Sequence, residues 1–202
     1  MCGVLESVGT GSALKYYKMR VIAGKAKGFI LKVPRRAATR PATGLVRGAI
    51  FSILETQASS WGRVLDVFAG SGSLGIEALS RGAGWVDFVE HEPLCCAIIK
   101  HNLEKTGFRD QAHVYCCRVI KAISFLYKEY GIILMDPPYS DSSISDTIER
   151  LAASRLVADE TTLIVTHSPH LSLKAKYASL TLVKERRHGD SCIAIYQKEA
   201  AP

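Results

Sequence analysis

The sequence predicts an α/β protein built on a doubly wound, mostly parallel β-sheet. From Arg63 onward, short apolar runs typical of strands alternate with segments typical of helices, and strands separated by single helices pair in parallel. The run Ile132–Met135 is apolar at four consecutive positions, as in a strand buried on both faces of a sheet. The last two apolar runs, Leu180–Glu185 and Cys192–Tyr196, are joined by a short polar segment and predict an antiparallel pair.

The alternating elements can be placed one by one. Glycine commonly follows the last turn of a helix, and Gly82 and Gly107 set two of the predicted helix ends. The predicted strands are Val64–Phe68, Trp85–Val89, His113–Cys116, Ile132–Met135 and Leu163–Thr166. The predicted helices between them are Ser73–Ser80, Pro93–Lys105, Val119–Tyr127 and Ser145–Ala153.

Three segments precede this alternation. Residues 1–18 are rich in Gly and Ser, so we expect them to be loosely ordered. Arg20–Val33 predicts a β-hairpin, because apolar residues flank a turn region at Gly24–Gly28. A helix follows over Thr43–Gln57, with apolar residues along one stripe and Thr43 as the capping residue.

Length and composition exclude several classes of protein. The chain has 202 residues, of which 48% are hydrophobic and 22% charged, as in one well-packed globular domain. No run approaches the ~20 apolar residues that a membrane helix needs. The N-terminus lacks a basic start followed by an apolar block, so we expect a cytoplasmic protein. None of the six cysteines forms a C-x-x-C pair, so we expect reduced, buried thiols and no metal site.

The positive charge is concentrated near the N-terminus. The formal net charge is +7, and Lys15–Arg47 contains ten Lys or Arg residues and no acidic residue. The remaining residues carry 16 basic and 19 acidic side chains. Such a segment is typical of a contact with nucleic acid or an anionic membrane. A solvated basic surface is the alternative interpretation.

A glycine-rich loop predicts a nucleotide site. Asp66 precedes Gly70, Gly72 and Gly75, which match the pattern G-x-G-x-x-G between a strand and a helix. Glu90 ends the next strand, where a carboxylate would meet ribose hydroxyls. Both features suit NAD and S-adenosylmethionine equally. Asp66 favours S-adenosylmethionine, because a carboxylate ahead of the loop repels a pyrophosphate and attracts an ammonium group. Glycines that only form a tight turn remain the structural alternative.

A second motif, Asp136-Pro137-Pro138-Tyr139, follows the fourth predicted strand. Ligands of an open parallel sheet bind beyond the carboxyl ends of its strands, so both motifs can line one crevice. The Asp136 carboxylate and the Pro137 carbonyl can accept the two N–H groups of an exocyclic base amine and direct its lone pair at a sulfonium methyl group. The prolines restrict these acceptors, and the Tyr139 ring offers a stacking surface for a flipped base. The alternative is an ordinary turn at the end of a strand.

Together these residues resemble class I, S-adenosylmethionine-dependent amino-methyltransferases. The likeness is closer to the RsmD family, which methylates guanine N2 in bacterial small-subunit ribosomal RNA. Arg20–Lys25 resembles the opening strand of that family, Arg40–Thr43 its helix start, and Gly75–Ala83 the helix after its glycine loop. The likeness extends from Met19 to the C-terminus.

The resemblance implies a fold, a domain organisation and partners. The expected fold is a Rossmann-like, doubly wound, mostly parallel seven-stranded sheet with an antiparallel C-terminal hairpin and a small N-terminal β-hairpin. Residues 1–18 would be a flexible extension, 19–42 a basic hairpin and RNA-binding arm, and 43–202 the methyltransferase domain. The implied cofactor is S-adenosylmethionine. The implied partner is 16S rRNA in assembling 30S particles, bound by a monomer without membrane or metal.

The resemblance also assigns site residues. The base-binding and catalytic set is Asp136, Pro137, Pro138 and Tyr139. The cofactor-binding set is Asp66, Phe68, Gly70, Gly72, Glu90 and Arg118. The RNA-binding set is Arg20, Lys25, Lys27, Arg35, Arg36, Arg40 and Arg47. Arg118 departs from the family pattern, because relatives commonly place an acidic residue there to meet the adenine amino group. Ala42, Gly44 and Gly48 also replace residues that are usually polar or charged.

Other functions use parts of the same pattern. A methyltransferase could act on adenine N6 of a nucleic acid or on a glutamine amide of a release factor. A DNA enzyme would need more mass for target recognition, and a release-factor enzyme would not need ten uninterrupted positive charges. An NAD-dependent oxidoreductase and a non-catalytic RNA-binding protein are the hypotheses from other classes.

Overall fold

A mixed β-sheet with helices on both faces forms the centre of the protein. The computed structural model describes residues 16–34, 44–58, 60–139 and 141–198. The strands are β1 (Tyr16–Arg20), β2 (Ile30–Pro34), β3 (Arg63–Val67), β4 (Trp85–Glu90), β5 (Ala112–Cys116), β6 (Tyr130–Met135), β7 (Val157–His167), β8 (Lys176–Tyr177), β9 (Leu180–His188) and β10 (Ser191–Lys198). The helices are α1 (Gly44–Gln57), α2 (Ser73–Ser80), α3 (Pro93–Thr106), α4 (Val119–Phe125) and α5 (Ile144–Ala152).

The strand order of the main sheet is β5-β4-β3-β6-β7-β10-β9-β8. Strands β5, β4, β3, β6 and β7 are parallel, whereas β10, β9 and β8 pair in antiparallel fashion. Chain order runs outward from β3 to β4 and β5 on one side and to β6 and β7 on the other. This reversal opens a crevice beyond the carboxyl ends of β3 and β6, where ligands of doubly wound sheets bind.

Two apolar layers cover the sheet. On one face, α1, α2 and α3 pack on strand residues that include Val64, Ile132 and Ile193. On the other face, α4 and α5 pack on residues that include Leu65 and Val165. The predicted doubly wound fold with its antiparallel C-terminal pair is therefore confirmed. None of the described helices is both long and apolar enough to span a membrane.

The N-terminal hairpin of β1 and β2 is docked on α2 by buried polar contacts. Glu77 is fully buried and accepts the backbone N–H groups of Ile22 and Ala23 at 2.7 and 2.9 Å. Ser80 Oγ accepts the N–H of Ala26 at 2.9 Å. A Cβ at Gly24 would lie 1.8 Å from the Ser80 carbonyl oxygen, so only glycine permits this close approach. The hairpin is thus held in a fixed place beside the crevice.

We expect Glu77→Ala to lower the free energy of unfolding by about 3–5 kcal/mol, measured by urea denaturation. The substitution leaves two backbone donors without an acceptor and removes the buried carboxylate that lies 3.9 Å from the guanidinium of Arg47. Glu77→Gln, which keeps an acceptor for the hairpin, should lose less. Glu55→Ala is the surface control, because Glu55 is 55% exposed. A Glu77→Ala loss as small as that of the control would contradict this anchoring role.

Four sequence predictions need correction. Tyr16–Lys18 were expected in a loosely ordered extension, but they pair with β2, with Tyr17 opposite Val33 and Lys18 opposite Lys32. The hairpin therefore begins at Tyr16, four residues before its predicted start at Arg20. An eighth strand of two residues, β8, adds to the seven expected in the main sheet. Cys95, Cys96 and Cys192 are buried as predicted, but Cys116 is exposed at the end of β5. Residues 1–15 and 35–43, which include the proposed cap Thr43, lie outside the described residues.

Candidate functional site

The two predicted motifs line one cavity of about 260 Å³ at the carboxyl ends of β3, β4 and β6. Its walls include Asp66, Gly70 and Glu90 from the glycine-rich side and all four residues of Asp136–Tyr139. Val33 of β2 closes it from the docked N-terminal hairpin. The topology therefore brings Asp66 and Asp136 into one cavity, although they are 70 positions apart in the sequence.

The loop after β3 has the backbone of a nucleotide-binding turn. Phe68, Gly70 and Gly72 all have positive φ angles, of 60°, 56° and 77°. A non-glycine residue in this region carries strain, and such strain is concentrated at functional sites. Phe68 and Gly70 line the cavity, whereas Gly72 does not and instead precedes α2 as its N-cap. A Cβ at Gly75 would lie 2.3 Å from the Phe88 ring, so this glycine permits close helix–sheet packing.

Asp66 is a buried acid whose pKa is raised. Its side chain is 1% exposed, and its Oδ2 accepts the backbone N–H of Gly75 at 2.8 Å. Burial raises the pKa of Asp66 to about 8, although the Gly75 hydrogen bond opposes the shift; the carboxylates of Asp136 and Glu90 raise it further. The protein therefore keeps a buried acid that a cationic ligand group would ionise.

Glu90 holds the loop in place from the end of β4. Its Oε2 accepts the N–H of Gly70 at 2.8 Å, and its Oε1 accepts the N–H of Glu92 at 2.8 Å. His91 Nδ1 lies 3.2 Å from the same Oε1. Glu90 lies on the cavity wall beside the glycine loop, and each of its carboxylate oxygens can accept a further hydrogen bond.

Arg118 lies outside the first cavity. It is the N-cap residue of α4 and lines an adjoining cavity of about 330 Å³, whose walls also include Phe68, Glu90 and His91. Three residues border both spaces, so the two cavities are neighbours. The structure thus places Arg118 beside the first cavity and not on its wall.

The second motif is fixed by neighbours that the sequence did not single out. Thr166, near the end of β7, donates its hydroxyl to Asp136 Oδ1. The Tyr139 hydroxyl donates to Ser191 Oγ at 2.5 Å. The Pro138 carbonyl accepts the N–H of Asp141 at 2.9 Å. Within the part of the chain that the structure describes, the Pro137 carbonyl accepts no hydrogen bond. Asp136 and Pro137 both line the cavity, and the Pro137 carbonyl retains acceptor capacity within the described residues.

If the site transfers a methyl group to RNA, as the sequence predicts, Thr166→Val should lower kcat by ~10-fold, since an isosteric side chain without the hydroxyl no longer orients Asp136. The KM for the RNA substrate and the affinity for the cofactor should stay within about twofold of wild type in steady-state kinetics and calorimetry. Thr166→Ser keeps the donor and should restore most of the turnover. Equal losses in the Val and Ser variants would contradict the positioning role.

The predicted RNA-binding residues separate into three groups. Arg20, Lys25 and Lys27 are exposed on the hairpin, as an RNA contact requires. Arg47 is only 2% exposed, and its Nη2 donates to the Arg20 carbonyl oxygen at 2.8 Å, so its assignment to the RNA surface is wrong. Its position in the first turn of α1 points it at β1 and Glu77 instead of solvent. Arg35, Arg36 and Arg40 lie outside the described residues.

Comparison with known proteins connects this geometry with a family. A family model described as Conserved hypothetical protein 95 matches residues 19–197. The chain is 32% identical over 183 residues to the YlbH protein of Bacillus subtilis strain 168, covering 89% of this chain and 99% of that protein. It is 31% identical over 188 residues to the protein of Escherichia coli strain K12 named Ribosomal RNA small subunit methyltransferase D, covering 91% of each.

A solved structure agrees with these sequence relationships. The yhhF protein of Escherichia coli has a TM-score of 0.78 and 29% identity to the present structure, covering 92% of this chain and 100% of that chain. The matched region includes the glycine loop, the Asp136–Tyr139 motif and the antiparallel C-terminal strands. The chain belongs to the Conserved hypothetical protein 95 family, the RsmD family of methyltransferases.

Proposed function

We propose that the protein methylates the exocyclic N2 amine of a guanine in 16S rRNA, with S-adenosylmethionine as the methyl donor and assembling 30S particles in the cytoplasm as the substrate. The observation that carries this proposal is the shared cavity. A buried acid suited to an ammonium group and two acceptors suited to a base amine lie on its walls.

The donor set fits S-adenosylmethionine better than a dinucleotide. Asp66 is buried at the cavity wall, where ionisation by the ammonium group of a methionine moiety would offset its desolvation. Glu90 can accept hydrogen bonds from ribose hydroxyls beside the glycine loop. Residues of the adjoining cavity, including Phe68 and Arg118, would contact the adenine. A pyrophosphate would instead lie beside the Glu90 carboxylate and would oppose ionisation of Asp66, so it gains no compensating charge pair, which disfavours NAD.

The bound cofactor supplies an electrophilic sulfonium methyl group. The protein's part is to prepare the nitrogen that attacks it. The lone pair of an exocyclic amine is delocalised into the base ring, so the amine is a weak nucleophile. Hydrogen bonds from its two N–H groups to Asp136 and the Pro137 carbonyl favour tetrahedral geometry and stabilise the positive charge that develops on nitrogen. Thr166 holds the carboxylate, and Tyr139, held by Ser191, presents its ring to the flipped base.

The substrate assignment is supported by the positive charge of the N-terminal hairpin and by sequence similarity to a named methyltransferase. Arg20, Lys25 and Lys27 form an exposed basic edge on the hairpin whose second strand lines the cavity. A relative that covers 91% of this chain is named as a methyltransferase of small-subunit ribosomal RNA. Guanine and adenine both carry exocyclic amines that this acceptor pair could hold, and we favour guanine N2 on the family resemblance.

Transfer of label tests the proposal. The protein is incubated with methyl-labelled S-adenosylmethionine and, separately, with 30S particles from a strain lacking this activity, 50S particles and a release factor. We expect label in the RNA of the 30S particles and near-background incorporation elsewhere. Label only on the release factor would show that the target is a glutamine amide. Calorimetric titration with NAD in parallel should give no binding, whereas tight NAD binding would favour the oxidoreductase alternative.

A further inference from the structure

The end of β9 forms an unassigned surface next to the base-binding motif. Strand β9 runs parallel to β7, with β10 between them, so its last residues reach the same edge of the sheet as Asp136–Tyr139. The hydrogen bond between Tyr139 and Ser191, the first residue of β10, connects this edge directly with the motif. Arg186 and Arg187 are exposed there, and His188 is half-buried.

The strand register separates these basic residues by face. Thr166 lies opposite Ile193, which lies opposite Arg186, and directly opposed residues project from the same face of an antiparallel sheet. Arg186 therefore shares the face of Thr166, the residue that holds Asp136. Because side chains alternate along a strand, His188 lies on this face and Arg187 on the other.

The contacts on the opposite face agree with this division. Arg187 lies opposite Cys192, which in turn lies opposite His167. On that face, His167 Nε2 is 2.9 Å from Glu185 Oε1, so the acidic residue of this part of β9 is directed away from Arg186. The remaining acidic residue of the hairpin, Asp190, is exposed in the turn between β9 and β10.

Both residues on the site face retain capacity to bind a ligand. Arg186 forms no ion pair with a carboxylate among residues 16–34, 44–58, 60–139 and 141–198. His188 Nε2 is buried and lacks a hydrogen-bond partner within the same ranges. A buried polar atom without a partner is costly unless a ligand or water satisfies it. A free guanidinium beside such a nitrogen suits a phosphate and an adjacent ribose hydroxyl.

We propose that Arg186 and His188 bind the sugar-phosphate backbone of single-stranded RNA beside the target base. Val33 and Pro34 of the N-terminal hairpin also line the cavity, and Tyr139 on its wall contacts Ser191, so the RNA would be held by the hairpin as well as by the end of β9. The inference rests on the proposed function in taking RNA as the occupant, but it concerns residues on a different strand from either predicted motif.

Adjacent arginines provide a matched test. Arg186→Ala and Arg187→Ala remove the same charge one position apart on opposite faces. Binding of each variant to in vitro transcribed 16S rRNA is measured between about 50 and 200 mM salt. We expect Arg186→Ala to weaken binding by about fivefold or more and to reduce the log-log salt slope by about one unit. Arg187→Ala should stay within about twofold of wild type, and His188→Ala should weaken binding with little change of slope.

The outcomes separate the surface from the proposed reaction. Three results would each contradict RNA binding by this surface. They are unchanged RNA affinity of Arg186→Ala, an equal loss of RNA affinity in both arginine variants, and no RNA binding by the wild-type protein. Thermal melting and calorimetric S-adenosylmethionine binding of every variant should match wild type, which excludes loss of folding. If RNA binding depends on Arg186 but no methyl group reaches 30S RNA, the surface stands and the proposed reaction fails. If guanine is methylated with no dependence on Arg186, the reaction stands and the surface fails.

Discussion

Replacing Asp136 with alanine should lower kcat for methyl transfer by ~100-fold or more, on the scale expected for one preorganised polar group at a reacting centre. In the proposed mechanism the carboxylate is the acceptor that draws the amine toward tetrahedral geometry, and the Pro137 carbonyl would be left to hold only one of the two N–H groups. Asp136 is already oriented by Thr166, so its loss removes an interaction that needs no rearrangement during the reaction. Radiolabel transfer to 30S particles at saturating substrate measures the effect.

Two controls make that result specific. Asp136→Asn keeps one acceptor oxygen and should retain more turnover than Asp136→Ala. Affinity for S-adenosylmethionine should change little in either variant, because the cofactor contacts are assigned to Asp66, Glu90 and the glycine loop. Near-normal turnover of Asp136→Ala, with folding verified by thermal melting, would remove the base-binding role.

Asp66→Asn should weaken binding of S-adenosylmethionine by at least tenfold at pH 8, the loss expected for a charge-assisted hydrogen bond. The pKa of this buried carboxyl is raised to about 8, so cofactor binding has to ionise it at neutral pH. Wild-type affinity should therefore rise as the pH increases from about 6 to 8, with release of a proton on binding. Calorimetry in buffers of different ionisation enthalpy measures both effects. The Asn variant should show neither the proton release nor this part of the pH dependence.

The same substitution should stabilise the cofactor-free protein at alkaline pH. The folded state keeps a proton on Asp66 that the unfolded chain releases near its ordinary pKa of 3.8. This group therefore makes the wild-type free energy of unfolding fall with rising pH between about 4 and 8, by up to about 1.4 kcal/mol per pH unit. Asn keeps an acceptor for the Gly75 N–H without the titration. In urea denaturation, the free energy of unfolding of the variant should increase relative to that of wild type as the pH rises from about 4 to 8. A difference in unfolding free energy that stays constant with pH would contradict a raised pKa of Asp66.

The parts of the fold that were predictable from sequence depend on local patterns. The parallel sheet, and the edge at which both motifs meet, were predictable from the apolar run Ile132–Met135 and the glycine loop after β3. Topology rules leave few alternative folds for such a pattern. The Asp136–Tyr139 motif was recognisable for the same reason. These signals are contained in short stretches of chain.

Contacts that depend on distant packing were not predictable. Arg47 belongs to a basic segment, but the fully buried Glu77, 30 positions later, draws it into the interior. Thr166 is one of many threonines in strands, and only the pairing of β6 with β7 places it beside Asp136. Ser191 carries no motif at all. The two residues of β8 are too few for an alternating pattern to show.

We propose that the residues of this cavity methylate a guanine N2 amine in small-subunit RNA. The most direct test is mass spectrometry of nucleosides from unmethylated 30S particles after incubation with the wild-type protein and S-adenosylmethionine. We expect N2-methylguanosine in the 16S rRNA, and its absence when Asp136→Ala replaces the wild type. N6-methyladenosine, or unmodified RNA despite bound cofactor, would contradict this proposal.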